Sequence, residues 1–133
     1  MGNTLELAGA KTPTHCPEPT VRLHLWLETD EGVVFGMGRA QLLSKIDEYG
    51  SLKRAATELG MSYRAAWGKI KRSEEILGAS LILRSENKRE GYQLTEFGRE
   101  VLSKFMLWFD AMESEALEKA KELFPWPVKP FGK

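Results

Sequence analysis

The sequence SLKRAATELGMSYRAAWGKIKRSEEILG occupies residues 51–78 and contains two short amphipathic helical patterns. They are separated by Leu59-Gly60-Met61-Ser62, which leaves room only for a sharp corner between packed helices. Gly60 tolerates the left-handed backbone conformation that ends a helix, and the Ser62 side chain can cap the next helix by accepting a hydrogen bond from a backbone N–H. The segment therefore predicts a helix-turn-helix.

The two faces of the second predicted helix differ in character when successive residues are placed 100° apart. The inward face is mostly apolar: Tyr63, Ala66, Trp67, Ile70 and Leu77. The outward face has small residues between bases: Arg64, Ala65, Gly68, Lys71 and Arg72. Trp67 lies at the edge of the apolar face. We interpret it as a core residue, with contact to DNA as the alternative.

A helix with small residues between basic ones can approach the floor of a DNA major groove while its bases meet the flanking phosphates. The alternative is an ordinary solvated helix face. We favour DNA, because the tight turn and the small-residue core accompany this face. The predicted recognition-helix contacts are Ser62, Tyr63, Arg64, Lys69, Lys71 and Arg72.

Particular residues of this segment match known regulators. The run Ser51-Leu52-Lys53-Arg54-Ala55-Ala56, with Leu59, Ser62, Ala65, Ile70 and the sequence EEILG at 74–78, resembles the helix-turn-helix of LysR-type regulators. The run Ser62-Tyr63-Arg64-Ala65-Ala66-Trp67 is similar to the N-terminal domain of the ModE family of molybdate-responsive transcription factors. The resemblance covers about residues 21–123 and implies a winged helix-turn-helix that binds DNA as a dimer.

Regulators of these families carry a ligand-sensing region after the dimerisation helix, whereas this sequence stops within ten residues of Leu123. We therefore expect that the chain does not sense molybdate by itself and that a separate effector-sensing partner could do so. No cofactor is expected.

The 19 basic and 19 acidic residues cancel, but they are unevenly distributed. Residues 51–92 hold nine bases against five acids, and residues 96–123 hold four bases against seven acids, so one face can be positive. Cys16 is the single cysteine, and no stretch is apolar enough to span a bilayer. We expect a cytoplasmic protein with no membrane partner.

Before the helix-turn-helix, residues 1–20 are rich in glycine and proline and predict a flexible tail. The adjacent His15 and Cys16 are too few ligands for a metal site. Residues 21–28 alternate apolar and polar side chains, and residues 33–37 can return as a second strand, which together predict a hairpin. A supporting helix is expected over 38–49.

After the helix-turn-helix, residues 81–84 and 92–94 predict two short strands around a charged loop, the wing. Its bases Arg84, Lys88 and Arg89 are predicted to contact phosphate or the minor groove, although any exposed hairpin tip is polar. Lys53 and Arg54, which precede the turn, are expected to hold phosphates as well.

Residues 95–123 form the longest helical pattern, and residues 124–133 an irregular, proline-containing tail. The apolar stripe of the helix is broad for a lone surface helix, so it predicts dimerisation, with purely intramolecular packing as the alternative. The predicted dimerisation residues are Phe97, Val101, Leu102, Phe105, Trp108, Phe109 and Met112.

The sequence thus predicts an α+β, mostly α fold: a winged helix-turn-helix over 21–94 with an N-terminal β-hairpin and a C-terminal dimerisation helix over 95–123. The predicted function is a homodimeric regulator of transcription that binds a two-fold symmetric site on double-stranded DNA, with half-sites roughly 34 Å apart. The alternative is a winged-helix module that binds protein instead. The sequence shows no combination of nucleophile, base and orienting group, so an enzyme is not expected.

Overall fold

The computed structural model describes residues 17–86 and 91–132. It contains two compact units, one formed by residues 24–109 and one in which residues 17–23 join residues 110–132. The elements in chain order are β1 (Thr20–Val21), β2 (Trp26–Thr29), β3 (Gly32–Gly36), α1 (Met37–Tyr49), α2 (Leu52–Glu58), α3 (Tyr63–Leu77), β4 (Ile82–Arg84), β5 (Tyr92–Leu94), α4 (Glu96–Leu123) and β6 (Lys129–Pro130). The mostly helical winged helix-turn-helix is confirmed.

The core of the larger unit is built on α1, whose inward side chains Leu42, Leu43 and Ile46 are fully buried. Small residues on the next two helices complete it, because Ala55 and Ala66 are both 0% exposed and let α2 and α3 come close. This packing explains why the helix-turn-helix has methyl groups where larger side chains would push its two helices apart.

Local capping sets the starts of α2 and α3 and the turn between them. Ser51 Oγ accepts a hydrogen bond from the Arg54 N–H at 3.0 Å, and Ser62 Oγ accepts one from the Ala65 N–H at 3.0 Å. Gly60 has a φ of 70°, in the left-handed region that glycine adopts without a steric penalty. The predicted turn and both serine caps are confirmed.

The hairpin that precedes α1 is shorter than predicted. Of the strand expected over 21–28, only the part from Trp26 onward pairs with β3, and the register shifts between Leu27 and Glu28. Val21 instead pairs with Pro130, since β1 and β6 form a separate parallel pair. Alternation of side chains predicted extended chain but could not reveal two different strand partners.

The wing strands β4 and β5 pair in antiparallel register, with Ile82 opposite Leu94 and Arg84 opposite Tyr92. Residues 87–90 are not described, so the predicted contacts of Lys88 and Arg89 lie outside the described residues.

The first turn of α4 is attached to the start of β4. The Thr95 N–H donates to the Leu81 carbonyl at 2.9 Å, and Thr95 Oγ1 accepts from the Gly98 N–H at 2.8 Å, as expected of a cap. Gly98 is buried, and a Cβ there would collide with the Leu81 carbonyl oxygen. The helix can approach β4 this closely only because residue 98 has no side chain.

One predicted dimerisation residue belongs to the core of the single chain. Phe105 is 4% exposed and packs edge-on against Phe35, with ring centroids 5.3 Å apart. Its ring is therefore not available to a second copy. Leu107, which the predicted stripe did not include, is 68% exposed. The other predicted residues on this half of α4 are partly buried against the core: Phe97, Val101, Leu102, Trp108 and Phe109.

The smaller unit corrects the prediction of an irregular C-terminal tail. Lys129 donates its N–H to the Pro19 carbonyl at 3.0 Å, and Val128 is 8% exposed. The Arg22 guanidinium lies 4.0 Å from the centroid of the Phe131 ring. Proline ends the helix here, but it is tolerated in a short edge strand. Residues 1–16 of the predicted N-terminal tail lie outside the described part of the chain.

Candidate nucleic-acid interface

The N-terminal half of α3 presents an exposed surface of small and basic residues. Arg64, Ala65 and Gly68 are all exposed, and a Cβ added at Gly68 would meet no atom within 4 Å. Among the described residues, none forms an ion pair or ring contact with Arg64. The guanidinium therefore stands beside a bare stretch of helix and can bind an external partner.

Trp67 forms the boundary between this surface and the interior. It is half-buried against the core, and its ring lies 6.5 Å from Tyr63 in a stacked arrangement and 6.1 Å from Tyr92. The interpretation of Trp67 as a core residue agrees with this placement. Tyr63, which the helical projection put on the inward face, is 47% exposed and lies on the outer side of this aromatic stack.

Lys71 is committed to partners within the chain. Its Nζ lies 2.9 Å from Glu74 Oε1 and 4.4 Å from the centroid of the Trp67 ring. Sequence reasoning did not identify Glu74, which is 9% exposed, or Ser73, which is 0% exposed and donates from Oγ to the Val34 carbonyl at 2.6 Å. Their position on the inward side of an amphipathic helix was a signal in the sequence, because a polar side chain that is buried needs a hydrogen-bonding partner within the protein.

The C-terminal part of α3 faces the hairpin. Arg72 lies 3.7 Å from Glu75, and its Nε is 3.7 Å from the position that a Cβ on Gly32 would take. Lys69 is exposed, and its backbone carbonyl accepts a hydrogen bond from Arg39 Nε at 3.2 Å. This hydrogen bond joins α1 to the middle of α3. Burial lowers the pKa of Arg39. Arg39 was not predicted as a site residue.

The wing and α2 bring two bases to the same side of α3. Lys53, Tyr63, Arg84 and Tyr92 line an open cleft of about 550 Å³. The Arg84 guanidinium lies 5.5 Å from the centroid of the Tyr92 ring, which holds the base over the cleft. An open, positively charged cleft of this size suits a phosphate group rather than a base edge.

Arg54, the second predicted phosphate contact on α2, is stacked on a neighbouring ring. Its guanidinium lies 4.1 Å from the centroid of Tyr49, whose hydroxyl donates to Glu58 at 3.3 Å. Stacking leaves the edges of the guanidinium able to donate hydrogen bonds. Arg54 is thus held in place without losing its donors.

The structure therefore separates several of the predicted DNA-contact residues from one another. Near the N-terminal end of α3, it brings together Ser62, Tyr63, Arg64, Lys53 and Arg84. It places Lys71 in an internal ion pair and Arg72 beside the hairpin. Within residues 17–86 and 91–132 there is no group of three or more His, Cys, Asp or Glu side chains that could hold a metal ion. In the same ranges, no helix is both long enough and apolar enough to cross a membrane.

Comparison with known proteins places this arrangement among bacterial regulators. Residues 37–99 match the family of bacterial regulatory helix-turn-helix proteins of the lysR family. The molybdenum transport protein ModE of Azotobacter vinelandii is 35% identical over 81 residues, which cover 59% of this chain and 30% of that protein. The small neutral protease regulatory protein of Streptomyces coelicolor is 40% identical over 76 residues, or 57% of this chain and 23% of that protein.

A solved structure shares the fold. The DNA-binding domain of CbnR, crystallised in complex with DNA, superposes with a TM-score of 0.54 at 22% identity and covers 66% of this chain and 99% of that domain. The chain thus spans under a third of the length of the two relatives described above, but it covers 99% of the solved DNA-binding domain.

The matched part corresponds to a helix-turn-helix domain of bacterial regulatory proteins. It includes α1, the helix-turn-helix, the wing and the first turn of α4. Residues 37–99 therefore form a winged helix-turn-helix domain that is similar to those of LysR-type and ModE proteins.

Proposed function

We propose that this chain regulates transcription by binding, as a homodimer, a specific duplex DNA site with two-fold symmetry. In each copy the N-terminal half of α3 enters the major groove, and Arg64 reads or flanks the base edges there. Lys53 and Arg84, which line the cleft with two aromatic residues, bind phosphates.

The observation that carries this proposal is the bare surface of α3 at Gly68. Glycine inside an exposed helix costs about 1 kcal/mol of stability relative to alanine. No described atom would obstruct a side chain at this position, so packing within the chain does not require glycine. Close approach of an external surface is a reason for glycine at this position, because Arg64 and Ala65 lie beside it and the three residues together suit the floor of a groove between phosphates.

Dimerisation is proposed to use the exposed side of α4. Leu107 is 68% exposed, and an apolar cleft of about 370 Å³ lies next to this half of the helix, lined in part by Leu27, Val101 and Trp108. Leu27 is itself 49% exposed, so apolar surface extends from the helix to the hairpin. Packing a second α4 here would bury this surface and join two recognition helices in one symmetric dimer.

The decisive experiment is selection of bound sequences from a random duplex library, followed by affinity measurements at two salt concentrations. We expect an inverted repeat and an affinity that falls steeply with salt. Arg64→Ala should weaken binding to the selected site by roughly tenfold or more. Lys45→Ala is the matched control, because Lys45 is a base on α1 that pairs with Glu48 at 3.4 Å.

If no motif is enriched and Arg64→Ala behaves like Lys45→Ala, DNA reading by this face is refuted. The winged helix would then be a protein-binding module. A separate effector-sensing partner stays a prediction. The role in molybdenum transport that the name of the ModE relative states applies to that relative.

A further inference from the structure

Glu74 is a buried carboxylate that the proposed DNA contacts do not use. Its side chain, on the inward side of α3, is 10% exposed. Oε2 accepts hydrogen bonds from the backbone N–H groups of Leu81 at 2.7 Å and Ile82 at 3.3 Å, and Oε1 forms the ion pair with Lys71. Both oxygens are therefore occupied by donors, as a buried carboxylate requires.

These contacts join the recognition helix to the wing. Ile82 is the first residue of β4 and Leu81 immediately precedes it, so the carboxylate holds the chain at the point where the loop after α3 becomes the strand. Hydrogen bonds to an ionised acceptor are roughly twice as strong as neutral ones. The Leu81 carbonyl in turn accepts from the Thr95 N–H, so the same residue also fixes the start of α4.

We propose that Glu74 is a positioning residue that sets the distance between the recognition helix and the phosphate-binding wing. Arg84 follows Ile82 by two residues on the same strand, about 7 Å along it. When Glu74 holds Ile82, Arg84 is already at the cleft before DNA arrives. This inference depends on the proposed DNA-binding function, which supplies the ligand that Arg84 contacts.

Lys71 has a supporting role in this arrangement. Its ammonium neutralises the buried Glu74 carboxylate while lying over the Trp67 ring, and Trp67 contacts the wing residue Tyr92. The recognition helix thus holds the wing by two routes, one through backbone hydrogen bonds and one through the aromatic stack.

Glu75 provides a matched control. It is the next residue of the same helix and carries the same charge, but its side chain is 71% exposed and pairs with Arg72 at 3.7 Å. Replacing either glutamate by alanine removes one negative charge, so the general attraction to phosphates changes by a similar amount. Only Glu74→Ala releases the wing.

The test is a double-mutant cycle on DNA affinity with Glu74→Ala, Arg84→Ala and the double variant, repeated with Glu75→Ala in place of Glu74→Ala. We expect Arg84→Ala alone to weaken binding roughly tenfold. In the Glu74→Ala background the same change should cost less than about twofold. In the Glu75→Ala background it should still cost roughly tenfold.

A second readout follows the free protein. Amide hydrogen exchange at Leu81 should accelerate at least roughly tenfold in Glu74→Ala and stay unchanged in Glu75→Ala. Glu74→Gln retains an oxygen that can accept from Leu81, so it should keep most of the protection and most of the coupling to Arg84. If Glu74→Ala does not fold, Glu74→Asp replaces it in the cycle, because the shorter side chain of aspartate does not reach the Leu81 amide. Glu74→Gln is then the variant that keeps the contact.

The positioning role is overturned if Arg84 contributes equally with and without Glu74, even though the wild-type protein binds DNA. It is also overturned if the Leu81 amide is unaffected by loss of the carboxylate. Failure of the wild-type protein to bind DNA would refute the proposed function and, with it, the positioning role. In that case the exchange data would still show whether Glu74 holds the wing.

Discussion

Substitutions at Gly68 test how closely α3 approaches DNA without changing the charge of the helix. Replacing Gly68 with alanine should stabilise the protein, because the new Cβ meets no atom within 4 Å and the residue lies inside a helix. The gain from helix propensity is about 0.8–1 kcal/mol. For a chain of 133 residues this raises the midpoint of thermal unfolding by roughly 4 °C.

Replacing Gly68 with leucine should have opposite effects on folding and on DNA binding. The fold tolerates the side chain, since the space around Gly68 is open. The leucine would, however, push α3 away from the groove floor. Losing two base-edge contacts of about 1.5 kcal/mol each removes roughly 3 kcal/mol, or about a hundredfold in affinity for the specific site.

The assay compares thermal unfolding by circular dichroism with affinity for the selected site and for an unrelated duplex. Non-specific affinity depends on phosphate charge and should fall much less than specific affinity. Ser44→Leu, at an exposed position on α1, is the control for adding an apolar side chain to a helix. Specific binding by Gly68→Leu at the wild-type level would refute the argument that α3 lies close to the bases.

Three further predictions concern the fold and the assembly. Gly98→Ala should destabilise the protein by about 2–4 kcal/mol in urea unfolding, because its Cβ collides with the Leu81 carbonyl, whereas Gly38→Ala, whose Cβ meets nothing, should not. Ser73→Ala should cost about 1–3 kcal/mol in the same assay, because it leaves the buried Val34 carbonyl without its 2.6 Å donor. Leu107→Glu should shift the proposed dimer to monomer in sedimentation equilibrium without loss of helicity; a dimer that persists would place the interface elsewhere.

The sequence predicted the helix-turn-helix well because the signals that define it are local. Ser51 and Ser62 cap helices by binding N–H groups three residues away, and Gly60 meets a conformational requirement of its own residue. Such interactions depend only on neighbours in the chain. The element boundaries in this region therefore follow from residue type and spacing.

Interactions between distant segments could not be read in the same way. Val21 pairs with Pro130, more than one hundred residues later, and nothing in either segment specifies the other. Phe105 belongs to the predicted apolar stripe, but the stripe alone does not distinguish a residue that meets Phe35 in its own chain from one that meets a second chain. Only the packed structure makes this distinction.

In the candidate site, the sequence likewise could not show which basic residues are paired within the chain. Helical projection gave Arg64 and Lys71 equal standing as outward bases, yet Lys71 pairs with a buried carboxylate and Arg64 pairs with none of the described residues. The pairing depends on Glu74 pointing inward, and the donors that draw it inward are backbone groups of the following strand, which carry no signature in the sequence.

This division of charges determines how substitutions on α3 should be interpreted. Removing Arg64 and Lys71 together would weaken DNA binding by two separate routes, because one change removes a contact and the other leaves Glu74 buried without its cation. Loss of binding by such a variant would not show that Lys71 touches DNA. Measurements of stability distinguish the two effects. Arg64→Ala should leave the free energy of unfolding unchanged within about 0.5 kcal/mol, whereas Lys71→Ala should lower it by about 1–3 kcal/mol. Equal stability of the two variants would show that the Lys71–Glu74 pair contributes nothing to the fold.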